Sequence, residues 1–183
     1  MGRRGTGEGS PSRAHRLIVE AATGARLLSP AELQEVLEQV AQAGFDPNAR
    51  ERARGQLAGI IWKGQVLAGS TMLQPEERHY PKHVLVQQEW PPGTTLVAYL
   101  QSLREVILAS RSGVATRRFE GQAWQLTVVG PSGRWRGPDG GDWILIDYRA
   151  SLGHWMTAYQ FDGDPEQILR EKASDLQWLR RPW

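Results

Sequence analysis

The sequence has 183 residues, of which 40% are hydrophobic and 23% are charged, with a net charge of +2 and no cysteine. This length and composition are typical of a soluble globular domain with a sizeable core. The lack of cysteine excludes disulfides, thiolate zinc sites and a cysteine nucleophile. We expect no membrane partner, because no apolar run is long enough to span a bilayer and the first twenty residues lack the apolar stretch of a secretory signal.

The N-terminal part contains one strong helix signal. Residues 1–16 are rich in Gly, Arg and Ser without apolar periodicity, which is typical of a disordered tail or linker. The stretch SPAELQEVLEQVAQAG then predicts a helix. Ser29 caps it with Glu32 as the partner in a capping box, Pro30 opens it, and Gly44 stops it. Its apolar stripe consists of Leu33, Val36, Leu37 and Val40.

The middle of the chain is less regular. FDPNARERARGQ predicts a polar connection or a short basic helix, and LAGIIWKGQVLAG predicts a hairpin that turns at Lys63-Gly64. The following proline-marked segment is predicted to be largely irregular, with a short strand at Val84 to Gln87. TTLVAYLQSLREVILASRSG then predicts a second helix that ends near Gly113, because its leucines recur at helical spacing.

The C-terminal part changes period. QAWQLTVVG, DWILIDYRA and HWMTAYQF predict three neighbouring antiparallel strands, and DPEQILREKASDLQWL predicts a final helix that begins at Asp164 and Pro165. Together these elements predict an α+β fold: N-terminal helices, an antiparallel β-meander sheet with an open cleft, and a C-terminal helix. We divide the chain into a tail (1–16), an N-terminal helical segment (17–70) and a functional domain (71–183).

Two hydroxyl side chains lie two residues apart in GHWMTAYQ. Because side chains alternate along a strand, Thr157 and Tyr159 are predicted to share one face. Trp155 is predicted to lie on the same face and His154 on the opposite one. Since Thr and Tyr both favour strands, this pattern fits either ordinary strand composition or half of an active site.

The stretch ERHYPKHV contains two of the four histidines, His79 and His83, beside Lys82. It reads as a polar loop, which is either a solvated connection, a zinc site or a metal-free catalytic site. Zinc is disfavoured because Pro81 argues against a helix that would aim both rings at one ion, and Tyr80 replaces the acidic residue of the zinc-protease pattern. We therefore expect no metal and no other cofactor.

A metal-free site uses these residue types well. RNA cleavage can recruit the ribose 2′-hydroxyl as nucleophile, so the protein supplies a base, an acid and donors for the developing phosphate charge. Histidine suits proton transfer because its ordinary pKa, about 6.5, populates both forms near neutrality. Cations and hydroxyls stabilise the growing charge. The inventory is supplied by His83, Lys82, Thr157 and Tyr159.

The combination of KHV, a following helix that contains an arginine, and a late strand with TAY resembles the bacterial RNase A-like toxin domains at the C-termini of contact-dependent inhibition proteins. The colicin D, EndoU and RelE-type toxin ribonucleases share a related outline. The resemblance covers about residues 78 to 161. It implies a toxin endoribonuclease that cleaves RNA without metal and leaves a 2′,3′-cyclic phosphate.

The resemblance also implies a role for each matching residue. His83 would be the general acid/base, with Lys82 as its cationic neighbour. Thr157 and Tyr159 would bind and polarise the scissile phosphate, and Arg104 is the nearest counterpart of the family's arginine, with Arg117 and Arg118 as the alternatives. Further RNA contacts are expected from Arg117, Arg118, His79 and Trp155.

Such a toxin implies definite partners. Its substrate would be RNA, with tRNA of a competing bacterium as the expected target, and a cognate immunity protein would cover its site. It would act as a monomer in the bacterial cytoplasm after delivery as part of a larger toxin system. The alternative is a non-enzymatic binding module, such as an immunity or adaptor protein, in which GHWMTAYQ is a core strand and HYPKH is a surface loop.

Overall fold

The computed structural model describes residues 11–45, 58–62, 65–68, 79–119 and 123–182. In this part of the chain the predicted α+β class is confirmed, with N-terminal helices, an antiparallel sheet and a C-terminal helix. The α-helices are α1 (Arg13–Ala22), α2 (Pro30–Gln42), α3 (Leu96–Leu108) and α4 (Pro165–Lys172). The strands are β1 (Ala58–Trp62), β2 (Gln65–Ala68), β3 (Gly113–Phe119), β4 (Ala123–Pro131), β5 (Trp143–Arg149), β6 (His154–Phe161) and β7 (Gln177–Arg180). A π-helix spans Pro81–Val86 and a 3₁₀-helix spans Gly133–Trp135.

The large sheet is antiparallel throughout and has the strand order β6-β5-β4-β3-β7. The three strands of the predicted meander are β4, β5 and β6, and they are neighbours in that order. Strands β1 and β2 form a separate antiparallel hairpin, as LAGIIWKGQVLAG predicts. The predicted turn at Lys63-Gly64, the polar connection from 46 to 56 and residues 69–78 lie outside the described residues.

The N-terminal helices follow local signals. At the start of α2, the Ser29 hydroxyl accepts a hydrogen bond from the Glu32 backbone, and the Glu32 carboxylate accepts one from the Ser29 backbone, so the predicted capping box is confirmed. Helix α1 begins at Arg13, where Ser12 caps it by accepting from the backbone N–H of His15. The prediction of a disordered tail up to residue 16 is therefore wrong for residues 13–16.

One hydrophobic core joins the helices to the sheet. Helices α1, α2 and α3 pack on one face of the sheet, which we call the inner face, and the opposite face is the outer face. The main core is formed by Leu17, Ile18, Leu37, Leu103, Ile107, Leu126, Val128, Ile144 and Ile146. A smaller core lies on the outer face at one end of the sheet, where α4 contributes Leu169 against Ala115, Val129 and Leu145.

Three elements differ from the predictions. The segment at Val84 to Gln87, predicted as a strand, belongs to the π-helix and the residue that ends it. Helix α3 ends at Leu108, and Gly113 starts β3. The C-terminal helix, predicted to run through DLQWL, ends at Lys172, because residues 177–180 pair with β3 as an edge strand.

A bulge in β6 changes the predicted distribution of side chains. Asp147 pairs with Thr157, but the next residue of β5, Tyr148, pairs with Trp155, so β6 holds one extra residue at Met156. Thr157 and Tyr159 share the outer face, as predicted. The extra residue moves Trp155 to the inner face, where it belongs to the main core.

No helix in the described ranges is long and apolar enough to cross a membrane.

Candidate active site

His83 lies in the π-helix rather than in the loop that the sequence predicts. Pro81 occupies the first turn, where its missing N–H costs no hydrogen bond, and the backbone N–H of Gln87 donates to the Lys82 carbonyl over five residues. The His83 side chain is only 6% exposed. Lys82 is half-buried beside it. Pro81 thus opens a helical turn and does not prevent one.

Four aromatic rings form a column along the β6 edge. The His79 ring stacks on Phe45 with centroids 4.3 Å apart, and on His83 with centroids 5.9 Å apart. On its other side, His83 stacks against Tyr159 at 6.3 Å with an interplanar angle of 24°. The column therefore brings His83 to one of the two predicted hydroxyls. His79 is buried in it, so the proposed direct contact of His79 with RNA is not supported by its exposure.

The parallel rings also bear on the zinc alternative. The planes of His79 and His83 differ by 6°. The nitrogen lone pairs of an imidazole lie in the ring plane, so two stacked rings do not direct them to a common ion. In the part of the chain that the structure describes, no group of three metal-binding side chains is found.

Glu89 is the closest polar partner of His83. Its Oε1 lies 2.9 Å from Nδ1 of His83, and its Oε2 accepts a 2.8 Å hydrogen bond from the backbone N–H of Gln160 on the edge strand β6. The nearby Tyr99 is fully buried. This burial raises the pKa of Tyr99 well above its ordinary value, and the charge of Glu89 adds to the rise. The Tyr99 phenol therefore stays neutral beside the carboxylate.

The backbone before Glu89 is strained. Gln88 has a φ of 52°, the left-handed region that only glycine adopts without cost. A neighbouring loop fixes this conformation, because its Gly137 N–H donates to the Glu89 carbonyl and its Asp139 N–H donates to the Gln88 carbonyl. Such strain is frequent where a side chain must be aimed for function.

Tyr159 and Lys172 form the open side of the cluster. The Lys172 ammonium donates a 2.7 Å hydrogen bond to the Tyr159 hydroxyl and lies 5.2 Å from the centre of its ring. Lys172 is exposed in the last turn of α4, and Tyr159 is half-buried. Thr157, also half-buried, is two residues before Tyr159 on the same face. The Tyr159 hydroxyl and the Lys172 cation therefore lie on the outer face beside His83, and Thr157 is two residues away along the same strand.

The predicted cluster of arginines does not form around His83. Arg104 lies on the inner side, where it bonds to the Ala41 carbonyl and stacks over Trp155. Arg117 is buried in a bond to Asp147 on the outer face. Arg118 points to the opposite face, over Trp124, on a strand that is three positions and about 14 Å from β6. The prediction that these cations line one cleft is wrong, because alternation along β3 separates its two arginines.

Trp155 is not available for stacking on a base. Its ring is 1% exposed, packs edge-on against Phe45, and donates its indole N–H to the Val40 carbonyl at 2.8 Å. The prediction that Trp155 contacts RNA is therefore wrong. The cause is the bulge at Met156, which turns the indole into the main core.

Sequence reasoning missed two residues of the cluster, Glu89 and Lys172. Glu89 lies inside the proline-marked segment, between Pro81 and Pro91, and Lys172 lies 13 residues after Tyr159 in a helix of ordinary surface composition. Neither stands in a motif with the other site residues. Only the folded structure shows that Glu89 contacts His83 and that Lys172 contacts Tyr159.

Comparisons of the chain with protein-family models, with curated proteins and with solved structures find no match.

Proposed function

We propose that this protein is a metal-independent endoribonuclease of the toxin type, which cleaves RNA through the ribose 2′-hydroxyl. One observation carries the proposal: the His83 ring stacks on Tyr159, whose hydroxyl is bonded to Lys172. A proton-transfer group, a hydroxyl and a cation therefore lie together, and these are the three functions that the reaction needs. The resemblance to the toxin ribonucleases, whose pattern includes a K-H-V-like motif and a T-x-Y strand, supports the same reaction.

The residues divide the reaction between them. The ring of His83 accepts the proton of the 2′-hydroxyl while its oxygen attacks phosphorus and the bond to the 5′-oxygen breaks. The leaving oxygen takes the phenolic proton of Tyr159, which is available because Lys172 is the donor in their mutual bond. The products are a 2′,3′-cyclic phosphate and a 5′-hydroxyl. Lys172 and Thr157 stabilise the charge that grows on the phosphate oxygens.

We further propose tRNA of a competing bacterium as substrate, with a cognate immunity protein as partner. These proposals follow from the resemblance. An immunity protein that covers Lys172 would present acidic side chains to it, because complementary charge favours the correct partner.

The second candidate, a non-enzymatic binding module, is favoured by the burial of His83. Its ring is nearly inaccessible and continues a column that reaches the main core, as expected of a histidine that only supports the fold. In that case RNA is not cut, and replacement of His83 changes stability alone.

Removal of one hydroxyl separates these candidates. Labelled tRNA is incubated in EDTA with the wild type, Tyr159→Phe and Tyr148→Phe. Tyr148 is the matched control, since it lies on the adjacent strand with its ring in the inner core. We expect Tyr159→Phe to lose roughly 10²-fold in rate, the typical effect of removing one transition-state donor, and Tyr148→Phe to keep it. Equal rates in the two variants, or no cleavage by the wild type, would contradict the proposal.

A further inference from the structure

Glu89 connects the two halves of the proposed site. One carboxylate oxygen contacts Nδ1 of His83, and the other accepts from the backbone N–H of Gln160, the residue directly after Tyr159. A single side chain therefore holds the imidazole and the strand that carries the phenol at a fixed separation.

Glu89 is itself held firmly. Its backbone N–H donates to the His83 carbonyl at 2.9 Å, and its own carbonyl accepts from Gly137 at 2.7 Å. A Cβ on Gly140 would lie 2.3 Å from that carbonyl, so the neighbouring loop packs directly against it. The side chain is 12% exposed. With both backbone groups and both carboxylate oxygens bonded, Glu89 has little freedom to turn away from His83.

The chemistry of the contact determines the proton position on the ring. An ionised carboxylate only accepts hydrogen bonds, so Nδ1 of His83 must carry the hydrogen in its contact with Glu89. A neutral imidazole has one N–H, so the lone pair is then on Nε2. Without a partner at Nδ1, the ring can adopt either tautomer.

We propose that Glu89 is a positioning residue that fixes His83 in the Nδ1–H tautomer and so makes Nε2 the atom that accepts a proton. Its catalytic consequence rests on the ribonuclease activity proposed above. The tautomer itself is a property of the protein without substrate. A carboxylate plays this role behind the imidazole of serine proteases, where the wrong tautomer greatly lowers the rate.

The first test is direct and needs no variant of Glu89. Two-dimensional nitrogen–proton spectra of protein labelled with ¹⁵N-histidine report which ring nitrogen carries the hydrogen. The His83 signals are assigned by their loss in His83→Gln, and the pH is raised until the ring signals stop changing. We expect the Nδ1–H pattern for His83. An Nε2–H pattern in the wild type would overturn the proposal.

The second test replaces Glu89 by glutamine. An amide has only one oxygen, and when this oxygen faces the Gln160 N–H, its NH₂ group faces Nδ1 and selects the other tautomer. The control is Glu105→Gln, which removes a carboxylate that accepts hydrogen bonds from Arg134 and Trp135 and has no bond to His83 in the described contacts. We expect Glu89→Gln to move His83 toward Nε2–H and to lower tRNA cleavage at least about tenfold. Glu105→Gln should change neither.

The outcomes separate this proposal from the ribonuclease activity. A His83 tautomer that is unchanged in Glu89→Gln overturns the positioning role, even if cleavage is lost. A tautomer that shifts in Glu89→Gln supports the role, even if the wild type cuts no RNA, and in that case only the proposed function fails.

Discussion

Two polar clusters on the outer face of the sheet are built from similar groups and have opposite characters. The first joins Arg117, Thr127 and Asp147, whose side chains bond only to one another in the described contacts. These residues are 7%, 0% and 4% exposed. The second joins His83 through Tyr159 to Lys172, and its lysine is exposed. The first cluster is closed, because its side-chain donors and acceptors bond to one another within the cluster. The second ends at a solvent-accessible cation and hydroxyl, which a ligand can reach.

The comparison shows why residue type alone is a poor guide to a phosphate site. Arg117 is one of the arginines for which the sequence predicts an RNA contact. The fold commits its guanidinium to Asp147, which lies 30 residues later in the chain. No sequence motif includes Lys172, although its ammonium donates a hydrogen bond to the Tyr159 hydroxyl. Availability of the charge, which is a property of the fold, separates the two.

The largest expected effect is on the closed cluster. We expect Asp147→Ala to lower the free energy of unfolding by about 3–5 kcal/mol, because it leaves the buried Arg117 charge without a partner. The double variant Arg117→Met/Asp147→Leu should recover most of this loss, since it removes both charges together. Urea unfolding measures both values. A loss below about 1 kcal/mol for Asp147→Ala would show that the cluster is not closed.

The next effect is on the open cluster. We expect Lys172→Met to lower tRNA cleavage about 10- to 100-fold, because a hydrogen bond to a charged group is worth about 1.5–3 kcal/mol. Its melting temperature should change little, since the side chain is exposed. Arg170→Met is the control, because Arg170 is exposed on the same helix and bonds to Glu166. If both variants lose cleavage equally, the effect comes from the overall charge of α4 and not from the contact with Tyr159.

The sequence predicts those parts of the fold that have local signals. Helix α2 has a capping box within four residues, and β4, β5 and β6 have strand composition between Gly- and Pro-rich turns. The parts that depend on distant partners were missed. Strand β7 continues a helical apolar period and becomes a strand only through pairing with β3, and the bulge at Met156 leaves no trace in the alternation of HWMTAYQF.

The candidate site is likewise predicted in part from local motifs and in part only by the fold. The KHV and TAY motifs locate His83 and Tyr159, which stand far apart in the sequence, at positions 83 and 159, and are brought together by the fold. The π-helix around His83 was missed because proline usually interrupts a helix, whereas Pro81 stands in its first turn. Glu89 follows His83 by six residues and Lys172 follows Tyr159 by 13 residues, but neither belongs to the KHV or the TAY motif, so the motifs do not identify them.

A smaller effect tests the strain next to the open cluster. We expect Gln88→Gly to raise the free energy of unfolding by about 0.5–1 kcal/mol, because glycine adopts the positive φ of Gln88 without steric cost. Gln101→Gly, at an exposed position of α3, should lower it by about 1 kcal/mol, the usual penalty of glycine in a helix. Chemical unfolding measures both changes. A destabilised Gln88→Gly protein would show that the Gln88 side chain, and not its backbone, matters there.

The smallest effect concerns an exposed ion pair, which gives a reference for the two clusters. A hydrogen bond from Arg26, aided by the Ser29 backbone, lowers the pKa of Glu32 from 4.5 to about 2. A lowered pKa stabilises the fold above the unfolded value, so this contribution is present above pH 4.5 and is lost as the pH falls toward 2. As the pH falls through this range, the melting temperature of the wild type should therefore approach that of Glu32→Gln. In high salt the change should be less steep, because salt screens an exposed pair. If the melting temperatures of the two proteins differ by the same amount at every pH, the ion pair is not the cause of the difference.

If the protein is a ribonuclease of this type, His83 transfers the proton in RNA cleavage, and an assay of the cleaved RNA ends tests this role. Labelled tRNA is incubated in EDTA with the wild type and with His83→Gln, whose amide can still donate to Glu89 but cannot act as a base, and the new RNA ends are identified. We expect 2′,3′-cyclic phosphate and 5′-hydroxyl ends for the wild type and a loss of about 10² to 10⁴ in rate for the folded variant. Full activity of His83→Gln, or cleavage that requires an added divalent metal, would contradict it.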